Sequence, residues 1–325
     1  LKIGNVFIPN KVVLAPMAGV SDKAFRIIAR EHGCGLVYTE MISAKALTYK
    51  NNRTKEILNL RGEKQPIAVQ LFGCEPAVMA AGAQIAVQEG AWLLDVNMGC
   101  PVPKVVRNGE GSALLENPEL AVEIVRAMVQ AVSVPITVKI RTGWDRENIV
   151  AVEFAREMEK AGARAIAVHG RTREQFYGGA ADWAIIRQVK AAVSVPVIGN
   201  GDLWTPQDAG KMLEETGCDA VMLGRGVQGN PWLISRVCRY LEGEELPPPE
   251  PLEKIKGALK HLELTIKIKG EEAGVREMRK HLAWYLKGMK HTAPYKEAIF
   301  KTKKKDEVVR ILEDYAGSVL GSRMI

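Results

Sequence analysis

The sequence predicts an α/β fold: a (β/α)8 TIM barrel followed by a small C-terminal α-helical domain. Three observations carry that prediction. Short β-branched apolar runs recur at 11–15, 36–39, 67–71, 93–97, 136–140, 165–169, 197–200 and 220–224. Helix-like segments and glycine stops separate them. After a proline-rich break the pattern turns wholly helical.

Continuous apolar runs suit strands buried on both faces, as in parallel sheets. Ser21 is placed to cap a helix from Asp22 in which Phe25, Ile28 and Ala29 share a face, with Gly33 ending it. The chain also echoes itself. AVSVPI at 131–136 returns as AVSVPV at 192–197, and Gly90-Ala91, Gly162-Ala163 and Gly217-Cys218 each precede a run. Helix, glycine stop, strand, loop is a βα repeat. Eight such strands fit a closed barrel better than an open doubly wound sheet, although periodicity does not show closure. Residues 242–251, EGEELPPPEP, read as a linker because consecutive prolines block helix and sheet. It divides a barrel domain, 1–241, from a helical domain, 252–325, with helices expected at 252–269, 271–290, near 295–301 and at 306–320.

The chain has 325 residues, 47% of them hydrophobic, enough for one large core and a smaller one. No apolar stretch approaches the ~18 residues of a membrane span, and residues 1–5 lack a signal-peptide layout. The five cysteines are scattered without a CxxC pair, which argues against a disulfide framework or a zinc site. The expectation is a soluble cytoplasmic protein with reduced thiols, no metal and no obligate protein partner. Residues 1–250 hold 28 basic and 28 acidic side chains, whereas 251–325 hold 17 and 10. The whole +7 excess therefore sits in the tail, which suggests an anionic partner there; a solvated helical surface explains the same count.

Active-site groups of such barrels gather at the carboxyl ends of the strands. Those ends read Pro16-Met17-Ala18-Gly19, Gln70, Asn97 to Cys100, Lys139 and Arg141, His169, Asn200-Gly201-Asp202 and Gly224-Arg225. The last two strands end in IGNGD and LGRG, and glycine-rich turns there let peptide N–H groups approach an anion. Asn230 is placed to cap the next helix, with Pro231 at its first position. A lysine beside buried positions needs a partner, so Lys139 either serves a ligand or pairs with Asp95. Arg141 shares its strand face. Cys100 lies between Gly99, which permits sharp curvature, and Pro101, which keeps Cys100 extended or in a turn. Its thiol is expected over the rim, whereas Cys34, Cys74, Cys218 and Cys238 read as small buried hydrophobes.

These stretches carry a resemblance. APMAGVSD (15–22), DVNMGCP (95–101), KIRTGW (139–144), HGRTREQFYGGAADW (169–183), GNGD (199–202), GRGVQGNPW (224–232) and RKHLAWYLKG (279–288) resemble the flavin-dependent tRNA-dihydrouridine synthases, most of all the bacterial B-type subfamily. The resemblance implies an FMN-binding barrel that reduces the C5–C6 double bond of selected tRNA uridines, with NADPH or NADH as electron donor. It implies flavin-ring contacts from Pro16, Met17, Ala18, Gln70 and His169, with Lys139 facing the N1/O2 side. Asn200, Gly201, Asp202, Gly224 and Arg225 would hold the phosphate end. Asn97, Arg141 and Tyr177 would meet the uracil, and Cys100 would give C5 its proton. RNA would lie on the tail, helped by Arg171, Arg173, Lys301, Lys303, Lys304 and Lys305. Two competing readings are an FMN barrel acting on a small pyrimidine such as dihydroorotate, and a non-catalytic RNA-binding barrel.

Overall fold

A computed structural model describes residues 1–49, 51–318 and 321, without the side chains of residues 52 and 53. Eight parallel strands form the barrel: β1 Val12–Leu14, β2 Val37–Tyr38, β3 Ile67–Phe72, β4 Leu93–Met98, β5 Ile136–Arg141, β6 Ile166–His169, β7 Val197–Asn200 and β8 Ala220–Leu223. Their order is β1-β8-β7-β6-β5-β4-β3-β2. A parallel bridge from Val13 to Leu36 joins the two ends, with Leu14 N donating to Leu36 O at 2.9 Å and Gly35 N to Val12 O at 2.8 Å. The barrel is closed, which periodicity alone left open.

Alternation along the strands sorts the side chains into two layers. Val69, Leu71, Leu94, Val96, Val138, Ile140, Val168 and Leu223 face outward into the core shared with the helices. Val13, Leu36, Ala68, Leu93, Ala165, Ala167, Ile198 and Ala220 face inward. The N-terminal hairpin, Lys2–Ile3 paired with Val6–Phe7, plugs the foot with Ile3, Val6 and Ile8. Toward the other end the inward row becomes polar.

Local chemistry sets the helix ends. Pro206–Thr216 starts at a capping box in which Thr205 and Asp208 each satisfy the other's peptide N–H. Pro206, at the first position, has no N–H to lose. Gly217 stops the helix with φ +67°, a conformation that side-chain-bearing residues resist. Two expected caps differ. Asp22, not Ser21, caps Lys23–Glu31 by accepting from Phe25 N; the Ser21 hydroxyl accepts from Met17 N instead, bracing the preceding loop. Asn230 caps nothing, since Trp232–Leu241 begins from Pro231 without a side-chain cap.

Beyond an irregular stretch at 244–250, helices span Pro251–Lys269, Glu271–Tyr285, Ala293–Lys301 and Lys305–Ser318. The second is shorter than the expected 271–290, and residues 319–320 lie outside the described set. These helices have their own apolar core, including Leu262, Val275, Leu282, Val308 and Leu312. They dock beside the rim. Lys269 bridges Asp22 at 2.5 Å, His261 packs on Phe25, and His281 lies 3.3 Å from Gly19 O. No described helix is long and apolar enough to cross a membrane.

Candidate active site

The polar end of the barrel opens into a cleft of about 290 Å³, at the lower end of ligand-sized cavities. Its walls include Pro16, Met17, Ala18, Asn97, Cys100, Lys139, Arg141, His169, Tyr177, Asn200, Gly201, Asp202, Gly224 and Arg225. Of the fifteen expected site residues, only Gln70 is not among them. It is fully buried one layer below, donating to Asp95 Oδ2 at 2.7 Å and accepting from Asn97 Nδ2 at 2.9 Å.

The turn after β4 is tightly held. Asn97 Oδ1 accepts from Cys100 N at 2.9 Å and Gly99 N at 3.2 Å. Ser112 closes the other side, its hydroxyl donating to Cys100 O at 2.9 Å. Gly111 packs there at φ +62°, and a Cβ on it would come within 2.9 Å of Cys100 O. Cys100 is thus fixed in the wall with its side chain half-buried. Burial pushes its thiol above the ordinary range, against the pull of a Val102 peptide hydrogen bond and the Arg141 and Lys139 charges. The sulfur is therefore protonated at neutral pH. Only Cys34 and Cys218 are fully buried hydrophobes as expected; Cys74 and Cys238 are partly exposed.

Cations dominate the cleft. Burial, reinforced by Arg141, lowers Lys139 to about 8, and Asp95 and Cys100 pull the other way. Its ammonium lies 3.4 Å from Asn200 Oδ1; the alternative pairing with Asp95 does not form. Arg141 donates through Nε to Gly99 O and through Nη1 to Thr172 O and Phe176 O, each at 2.8 Å. Nη2 keeps no protein acceptor among the described residues. Burial, then Lys139, Arg141, Arg171 and Arg225, hold His169 well below the usual imidazole range. The ring is neutral. Because Arg171 can only donate to Nε2, 3.4 Å away, the proton sits on Nδ1.

At the β7 and β8 ends, the peptide N–H groups of Gly201, Asp202 and Gly224 donate to no protein acceptor among the described residues. Gly201 has φ +124°, and a Cβ there would lie 2.7 Å from Ala181 Cβ. Asp202 does not face an anion directly. It binds Arg171 at 2.7 Å and Arg225 at 3.4 Å, holding the two guanidinium groups beside those N–H donors. Arg171, expected on the RNA surface, is instead buried in this brace, where it also donates to Gly178 O and Gly179 O. Arg173 stacks on Trp144 with its guanidinium carbon 4.5 Å from the ring centre. Sequence reasoning missed Met41, Phe176, Trp204 and Gln228 in the wall. Arg225 lies between Tyr177 and Trp204, 4.6 and 5.2 Å from their ring centres. Only the aromatic content of the two loops hinted at this.

A closed barrel with a cationic, donor-rich mouth and one protonated thiol in its wall is the frame of a TIM-barrel enzyme that handles an anionic organic ligand. The chain belongs to the dihydrouridine synthase family (Dus), which matches residues 13–319. It is 42% identical over 321 residues to tRNA-dihydrouridine synthase B of Xanthomonas axonopodis pv. citri, covering 98% of this chain and 97% of that protein. The namesake from Pseudomonas aeruginosa is 45% identical, covering 88% and 86%, and that from Vibrio vulnificus 43%, covering 88% and 89%. Among solved structures, morphinone reductase in complex with tetrahydroNAD superposes with TM-score 0.55 at 15% identity, covering 78% of this chain and 92% of that one. At that identity the likeness speaks to the barrel fold alone.

Proposed function

We propose that this protein reduces the C5–C6 double bond of uridines in tRNA to dihydrouridine, with FMN as cofactor, NADPH or NADH as electron donor and Cys100 as proton donor. The carrying observation is one half-buried thiol, kept protonated, in the wall of the cationic cleft. Family membership favours this over a small pyrimidine such as dihydroorotate, and the intact thiol, lysine and imidazole speak against a non-catalytic barrel.

The cleft suits FMN. Unpaired N–H groups at Gly201, Asp202 and Gly224, with the Asp202-held arginines, would take the phosphate. Pro16, Met17 and Ala18 line the wall where the ring would lie, and Lys139 would face its electron-rich edge. His169, neutral and protonated on Nδ1, would stand beside it. Gln70 would act from beneath through Asn97. FMN held there would supply the hydride that C6 of the uracil needs.

The protein's own residues do the rest. The Cys100 S–H bond breaks as its proton goes to C5, and the electron pair left on sulfur is neutralised by a solvent proton. A thiol pushed up by burial keeps its proton at neutral pH, so it suits giving that proton more than attacking carbon as a thiolate. Arg141 Nη2, Asn97 and Tyr177 would orient the uracil edge. A uridine in folded RNA must swing out to reach this depth, at a cost of a few kcal/mol. Phosphate contacts by the basic helical segment, including Lys303 and Lys304, would offset it. Lys301 already bridges Glu297 at 2.6 Å and Lys305 bridges Glu263 at 3.0 Å, so both have less to offer. A tRNA substrate supports a cytoplasmic location.

The test is direct. Purified protein is incubated with FMN, NADPH and tRNA lacking modifications, and nucleosides are read by mass spectrometry. Dihydrouridine that depends on flavin supports the reading; its absence with every tRNA species, while dihydroorotate turns over, refutes it.

A further inference from the structure

Beneath the cleft lies a buried acid that the chemistry above does not use. Asp95 is wholly buried and points into the barrel from β4. Its Oδ2 accepts from Gln70 Nε2 at 2.7 Å and its Oδ1 from the Thr137 hydroxyl at 2.6 Å. A carboxylate inside a barrel is costly unless its lone pairs are used, and an ionised one can only accept. That one-way property propagates. Gln70 must turn its NH2 toward Asp95, so its oxygen faces Asn97. Asn97 must then give its NH2 to Gln70, with Met41 Sδ 3.6 Å from the same nitrogen. Its oxygen is left facing the Gly99 and Cys100 N–H groups. The opposite setting of Asn97 would aim an NH2 at two further donors and break the turn.

We propose that Asp95 is a positioning residue: through Gln70 and Asn97 it fixes the amide orientations that hold the turn carrying Cys100. The inference rests on the reading of Cys100 as proton donor. It differs from a general structural role because it names one direction of influence. Disturbing Asp95 should change what the thiol does far more than what the flavin seat does.

The experiment uses flavin-loaded Asp95→Ala and Asp95→Asn. The asparagine can still accept from Gln70 through Oδ1 while its NH2 donates to Thr137, whose hydroxyl can turn to Leu94 O, 3.3 Å away. Two half-reactions are timed separately: bleaching of the flavin by NADPH, and its reoxidation by unmodified tRNA. Asp95→Ala should slow reoxidation by about ten-fold or more, since small misplacements at a reacting group are costly. Bleaching should stay within about three-fold, and Asp95→Asn should recover most of the loss. Alkylation of Cys100 by iodoacetamide, followed by mass spectrometry, gives a readout independent of turnover. A loosened turn should raise its rate by about three-fold in the alanine variant. Reoxidation at the parent rate, an unchanged alkylation rate, or bleaching that falls in step with reoxidation would overturn the inference. Should Asp95→Ala not fold, Asp95→Ser removes the carboxylate that orients Gln70 while keeping a small polar group beside Thr137, and must give the same split. If, with oxygen excluded, no tRNA reoxidises the flavin of the unsubstituted protein, the functional reading fails, while the alkylation result still decides the positioning claim.

Discussion

At the foot of the barrel, Leu36, Ala68, Leu93 and Ala165 meet Ile3, Val6 and Ile8 in a dry apolar plug. At the rim, the same strands turn Asn97, Lys139, Arg141, His169 and Asn200 inward. Two or four residues along one strand separate the two environments, as in β4, where Leu93 gives way to Asp95 and Asn97. The foot stabilises by burying apolar side chains, although the Tyr38 hydroxyl in the same inward layer is buried without a partner among the described residues. The rim keeps charges and peptide donors unsatisfied, which costs stability and leaves them free for a ligand. Substitutions at the two ends should therefore fail differently.

The sharpest break is expected at the rim. Cys100→Ala should keep its yellow flavin and its tRNA affinity yet lose about 10²-fold or more of dihydrouridine formation, the usual worth of a positioned general acid. Nucleoside mass spectrometry on the purified variant measures it. At the foot, Leu93→Ala should cost about 2–5 kcal/mol, a large share of the roughly 5–15 kcal/mol typical of folded domains. Denaturant melts read that loss, and turnover per bound flavin should hardly move. A Leu93→Ala that melts normally but turns over slowly would dissolve the division between the two ends.

A smaller effect concerns pH. In the flavin-free protein Lys139 titrates at about 8, below its ordinary 10.5, because burial disfavours its charge. FMN affinity should weaken as pH rises through about 8 and the cation is lost. Fluorescence titration should show this in the parent and a flat response in Lys139→Met. The stability sign is opposite. The unfolded chain binds the extra proton between the two values, so the flavin-free protein gains stability as pH rises across that window and carries the burial penalty below it. Smallest of all, Lys303→Ala or Lys304→Ala should weaken tRNA binding evenly across sequences and shallow its salt dependence by about one counterion. Binding measured at several salt concentrations tests this.

The eight strands were legible to within a residue or two because each is a β-branched run buried on both faces, a pattern local to the sequence. Closure was not, since the Val13–Leu36 bridge depends on curvature accumulated around the whole sheet. Strand-end residues could be placed at the rim by alternation. What each one touches could not. Asp202 and Arg171 are distant in sequence, so the brace that turns an apparent anion ligand into a holder of arginines becomes visible only when β6 and β7 are adjacent. Gln70 shows the same limit. Its strand end was right, but its depth below Asn97 is set by the stagger between β3 and β4. The caps fail for a simpler reason: Ser21 and Asp22 are both good capping residues, and the loop's need for a bond to Met17 N decides between them.

The central claim, that the sulfur on the β4 loop hands its hydrogen to C5 of a swung-out uracil, is tested most directly in heavy water. Unmodified tRNA reduced by the unsubstituted protein in D2O should yield dihydrouridine with solvent deuterium at C5, and Cys100→Ala should yield almost none of that product while its flavin stays bound. Label-free C5, or a Cys100→Ala variant that forms the product at the parent rate, would contradict the account.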